Sequence, residues 1–217
     1  MTFIPNIFQR INLFETCGME CCGWAGNRLL NADLWEECPN ASWLLAASAK
    51  MNVSNKLRVK AGCGCAYKNI IHISNAFLKD QFLLIKLLEL SEAWADNDST
   101  IPFSIPEFKT IYTKVFEIIY NFEQAWINGG VSNMLLARIA FIVRSIGVAA
   151  QPICEELGIN TIERSEHNWC AVSSARAFAY SQADIDTPLW KALYIEEQKR
   201  LAAIVREAIP WSAICSL

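Results

Sequence analysis

The sequence predicts an all-α protein, a single-domain bundle of about seven to nine helices. Three observations carry that prediction. Apolar residues recur at helical spacing along nearly the whole chain, as in Leu83, Leu87, Leu90 and Trp94. Glycine (nine) and proline (seven) are scarce in 217 residues, too few for the many tight turns of a β fold. No run rich in Val, Ile or Thr alternates in the manner of a strand. With 53% hydrophobic residues, 19% charged residues and eight tryptophans, the chain has ample apolar surface to offset its conformational entropy.

The first helix is expected to begin after Pro5 and Asn6, with Ile7, Ile11 and Phe14 on one side. A short helix around Asp33 to Cys38 stops at Pro39, and Asn40 caps a second that carries Trp43, Leu44 and Leu45. Ser54 caps a longer helix with Leu57, Ala61, Ala66 and Ile70 on its buried side. Gly62 and Gly64 lie in its middle. Each destabilises a helix by about 1 kcal/mol relative to alanine, which implies close approach of a neighbour. Asp80 is read as the cap of the next helix. Residues 95–106, with two prolines and Asp96-Asn97-Asp98, form the clearest loop and the one candidate sub-boundary in a single domain spanning 1–217.

Beyond that loop, Glu107 to Ile127 repeats the pattern through Ile111, Val115, Ile118, Ile119, Phe122 and Trp126, ending at Gly129-Gly130. Ser132 opens a helix with Leu135, Leu136, Ile139, Val143 and Ile146, bent or ended near Pro152 and closed by Gly158. Within it the apolar run from Met134 to Ile153 is interrupted by Arg138, Arg144 and Gln151, which suits an amphipathic element and argues against a membrane span. Asn160 or Thr161 begins a helix through Trp169, Ala171, Ala175 and Ala179. Thr187-Pro188 starts the last, with Leu189, Leu193, Leu201, Ile204 and Val205.

The formal net charge of −3 does not suggest wholesale phosphate binding. Residues 50–68 hold Lys50, Lys56, Arg58, Lys60 and Lys68 without an acid, whereas 89–98 hold Glu89, Glu92, Asp96 and Asp98 without a base. These runs read as two solvated helix faces of opposite sign. The basic run is the only nucleic-acid cue, and no reader motif accompanies it.

Nine cysteines, an odd number in a long chain whose start lacks a signal-peptide pattern, read as reduced core thiols and place the protein in the cytoplasm. A zinc site drawn from Cys17, Cys21, Cys63, Cys65 and His72 remains open, although CxxC spacing is absent. Of the two histidines, His72 in Ile70-Ile71-His72-Ile73 is expected in the core and His167 on a solvated helix surface. The paired carboxylates Glu36-Glu37, Glu155-Glu156 and Glu196-Glu197 point about 100° apart on a helix and do not share a site. The residues therefore point to no catalytic apparatus and no cofactor.

One pattern goes beyond spacing. Leu34-Trp35-Glu36-Glu37-Cys38, then Trp43-Leu44-Leu45, Leu57-Arg58, Ala61 to Ala66 with Cys63 and Cys65, and Leu88 to Ala95 resemble the helical immunity proteins of bacterial polymorphic toxin systems, the immunity-five-like family. Ala171 to Ala179, followed by Gln198, Leu201, Val205 and Arg206, is similar to the family's closing helices. The likeness covers about residues 15–95 and 168–209, whereas 100–165 are much less alanine-rich than the family. It implies a helical, non-catalytic protein that neutralises a cognate protein toxin by direct stoichiometric binding. For a basic nuclease as partner, charge and exposure select Asp96, Asp98, Glu155 and Glu156 as contact residues. Two alternatives stand beside this reading: a phage or mobile-element accessory protein that binds a small ligand or host defence component, and an enzyme using cysteine with histidine, or zinc.

Overall fold

In the computed structural model, residues 30–70, 78–96, 103–129, 134–159, 167–184 and 187–215 are described. Among them every regular element is a helix. The helices are α1 (Ala32–Glu37), α2 (Ala41–Lys50), α3 (Asn55–Ile70), α4 (Leu78–Ala95), α5 (Ile105–Gly129), α6 (Met134–Ala149), α7 (Gln151–Leu157), α8 (Trp169–Tyr180), α9 (Pro188–Ala208) and α10 (Trp211–Cys215). The predicted first helix, with Cys17 and Cys21, lies outside the described residues, as do Ser132, Asn160 and Thr161.

Local chemistry sets several boundaries. The Asn31 side chain accepts the Leu34 N–H at 2.8 Å and so starts α1. Asn40 accepts the Ser42 N–H at 2.9 Å and the Trp43 N–H at 3.3 Å, closing two donors that α2 leaves open. Thr187 does the same for the Trp190 N–H at 3.1 Å, with Pro188 as the first residue of α9. Gly158 ends α7 in the left-handed region, at φ 64°. Asp80 is not a cap: α4 begins at Leu78, and Asp80 is its third residue. The prediction also missed α10, which follows the break at Ile209-Pro210.

Helix α3 is the hub, packed against α4, α6, α8 and α9, while α6 is flanked by α5 and α8. The two α3 glycines make this possible. A β-carbon on Gly62 would lie 3.1 Å from the Ala149 Cβ and 3.2 Å from its Cα, so α6 comes within backbone range of α3. One on Gly64 would meet the Ile204 Cγ2 of α9 at 2.6 Å. The apolar core is one cluster that runs without interruption from Leu34 and Trp35 through α3 and α6 to Leu201 and Ile214, across the 95–106 connection. Met134 to Leu157 is apolar enough to cross a membrane by composition, but 72% of its most apolar window is buried in the bundle. Leu135 and Leu189, assigned to buried stripes by spacing, are exposed, each at the first turn of its helix where neighbours are few.

Chain-distant contacts fasten the C-terminal helices onto the N-terminal ones. The buried Trp35 indole donates to the Ile209 carbonyl at 3.2 Å, and its ring lies 6.3 Å from that of Trp211. Arg206 donates to the Cys38 carbonyl at 2.7 Å. Gln198, itself buried, accepts the Ser42 N–H at 3.3 Å and donates to the Ala171 carbonyl at 3.3 Å, joining α2, α8 and α9.

Candidate functional site

The two charged runs meet rather than forming separate faces. Along the seam between α3 and α4, Lys60 Nζ lies 3.8 Å from Asp96, Lys56 sits over the Trp94 ring at 5.9 Å, and the Tyr67 hydroxyl donates to Glu92 at 3.2 Å. The pairing runs antiparallel, which puts the start of α3 beside the end of α4. A carboxylate at a helix C-terminus opposes the helix dipole, and Lys60 offsets that disfavour for Asp96. Burial raises the Glu92 pKa against the opposing pull of the Tyr67 hydrogen bond and Lys60.

Glu155 and Glu156 are exposed on α7, which packs on α3. The Asn55 amide donates to Glu156 at 3.1 Å, and Asn55 in turn accepts from Arg58 at 2.9 Å. Glu155 acts on the Arg58 guanidinium through its field. Asn55 and Lys60 are separated by about 7.5 Å along the helix axis. These two positions also point about 140° apart around the helix, so Asp96 and Glu156 flank the N-terminal half of α3 from two sides. Asp98, the fourth acid singled out by charge, lies outside the described residues.

Behind this edge is a buried polar cluster that the sequence did not reveal. His167 is 5% exposed, not on a solvated surface: it occupies a turn directly ahead of α8 and lies against α3. A β-carbon on Gly62 would be 2.9 Å from its Nε2, which makes Gly62 the floor of the histidine's niche. Neither ring nitrogen has a hydrogen-bond partner of good geometry. Desolvation, then the Arg58 charge, pull its pKa from 6.5 down to about 3, against the Ala149 backbone. One turn on, Cys170 is fully buried and its thiol is pushed up to about 12, chiefly by desolvation. Cys63 and Cys65 are raised for the same reason, and the Ser174 hydroxyl donates to the Cys65 carbonyl at 2.7 Å, tying α8 to α3.

Both shifts run opposite to what a thiolate–imidazolium pair needs, since an activated nucleophile requires a lowered thiol and a proton-accepting base near neutrality. Cys63, Cys65, Cys154 and Cys170 are free and buried, as expected of core thiols, and Cys38 is buried with its thiol donating to the Asn40 carbonyl. Among the described residues no three His, Cys, Asp or Glu side chains converge as metal ligands, and His72, Cys17 and Cys21 lie outside them. The missed signal was Gly62: a helical glycine reports a close neighbour, but not which one.

Set against family models, curated proteins and solved structures, the chain finds no match in any of the three.

Proposed function

We propose that the chain is an immunity-type binding protein that neutralises a cognate protein toxin by stoichiometric association in the bacterial cytoplasm. The observation that carries this reading is the exposure of Asp96, at the end of α4, and of Glu155 and Glu156, on α7, where these helices flank the N-terminal half of α3. Lys60 and Asn55 restrain two of these carboxylates, so little side-chain entropy remains to be lost when a partner docks. The exposed carboxylates give a basic partner such as a nuclease contact points that fix its register, while Lys56, Arg58 and Lys60 beside them balance the local charge. The resemblance of residues 34–66, 88–95 and 171–206 to immunity proteins supports the same class. The buried, neutral state of Cys63, Cys65, Cys154, Cys170 and His167 leaves those groups to packing.

The test is co-expression with the product of the adjacent reading frame, scored by rescue of growth and by co-purification. Both are expected. Absence of both sinks the immunity reading. Charge reversal by D96K, E155K and E156K is expected to abolish co-purification while the circular dichroism spectrum stays helical. Retained binding would move the interface elsewhere.

A further inference from the structure

On the side of α3 away from α4, a depression of about 430 Å³ opens between α3, α8 and α9, lined by Lys68, Phe178, Glu197, Arg200, Leu201 and Ile204 among others. Its chemistry is mixed. Glu197 is sunk into it, with 6% of its side chain exposed and Arg200 Nη1 3.6 Å away, beyond strong hydrogen-bond reach. The other end of that guanidinium is engaged by Glu196 at 2.6 Å, and the plane lies over Phe178 at 5.7 Å. Burial raises the Glu197 pKa, and Arg200 and Lys68 draw it back. Arg200 covers one edge of this carboxylate, and a carboxylate has about four acceptor positions, so the sunken group keeps capacity for a further donor.

The arrangement discriminates between ligand classes. A simple cation meets Glu197 but also Lys68 and Arg200. A simple anion meets those cations but also Glu197. A zwitterion finds a complement for each charge, and Phe178, Leu201 and Ile204 offer apolar wall for a side chain. The volume lies at the lower end of ordinary small-ligand pockets, roughly 300–1,000 Å³. We propose that this depression binds a small zwitterion of the α-amino-acid class with an apolar side chain. Its ammonium group seats on Glu197 and its carboxylate on Lys68 and Arg200. The site is separate from the α3–α4–α7 edge and does not depend on the toxin-binding reading.

The test is isothermal titration calorimetry of the full chain with valine, leucine and methionine, and with two single-charge analogues of leucine, 3-methylbutylamine and 4-methylpentanoate. At least one amino acid is expected to bind, and each leucine analogue to bind at least about tenfold more weakly than leucine. Glu197→Gln is expected to weaken amino-acid binding by about tenfold or more and leave 4-methylpentanoate no weaker. Lys68→Gln is expected to weaken the amino acid and leave the amine no weaker. Lys68 is exposed, so its variant keeps the test decisive if the Glu197 variant does not fold. No heat from any of the three amino acids, equal affinity for leucine and its analogues, or indifference to the folded variants would overturn the proposal.

Discussion

Gly62→Ala isolates the close approach of α3 to α6. The substitution brings a gain and a loss. Alanine is favoured over glycine in a helix interior by about 1 kcal/mol. Against that, the new methyl would sit 2.9 Å from His167 Nε2, 3.1 Å from the Ala149 Cβ and 3.2 Å from the Ala149 Cα. The last is backbone, so relief requires α3 and α6 to separate. Overpacking a dense core costs about 1–3 kcal/mol, and three simultaneous contacts place this site at the upper end. The expected net loss is about 2 kcal/mol, a fall of about 4–8 °C in Tm at this chain length. Gly64→Ala is the control. Its methyl meets no backbone, only the Ile204 Cγ2, a methyl on the β-carbon of a half-buried residue beside a depression, and a χ1 rotation of Ile204 relieves the contact. Stability is expected within about 0.5 kcal/mol of the parent, since the propensity gain offsets the adjustment. Urea unfolding followed by circular dichroism measures both. If Gly62→Ala matches or exceeds the parent, or Gly64→Ala is the more damaging, the close-approach account is wrong.

Other perturbations read different parts of the molecule. His167 has a depressed pKa in the folded state, so its contribution is fully present above the unfolded value of 6.5 and is lost as pH falls toward 3. The stability difference between the parent and His167→Asn is expected to change by up to about 1.4 kcal/mol per pH unit across that window, and parallel pH profiles would refute it. Glu92 and Glu197, raised by burial, act in the opposite sense but are common to both proteins and cancel. Asn40→Ala removes the cap of α2 and is expected to lower stability by about 1–2 kcal/mol, checked by the urea midpoint. Iodoacetamide labelling of the native protein at pH 8, mapped by mass spectrometry, is expected to modify the exposed Cys215 while sparing Cys63, Cys65, Cys154 and Cys170 until denaturant is added. Equal rates would show that the bundle opens at the α3–α8 contact.

Local structure was legible because local chemistry fixes it. Asn40, Thr187-Pro188 and Gly158 do in the fold what their positions announced, since each acts on backbone within a few residues. The glycine pair signalled close packing for a reason that holds in any fold. The lost information was relational. Nothing in residues 50–68 or 89–98 states that the two runs face each other, because each reads equally well as a solvated face. His167 was misjudged because its polar sequence neighbours say nothing of Gly62, the distant residue against which it is buried. Asp96, Glu155 and Glu156 were chosen by charge and exposure, and only the packing of α7 and α4 on α3 places them on two sides of its N-terminal half.

The indole of Trp35 bonded to the Ile209 carbonyl has a consequence for synthesis. Helix α1 completes its burial only on partners 174 positions later in the chain. Loop closure over such a span is slow relative to local helix formation. During translation the Trp35 side chain must therefore wait, solvent-exposed or provisionally covered, until the segment around Ile209 and Trp211 leaves the ribosome. Turns synthesised long after the first described helix are the ones that complete its burial.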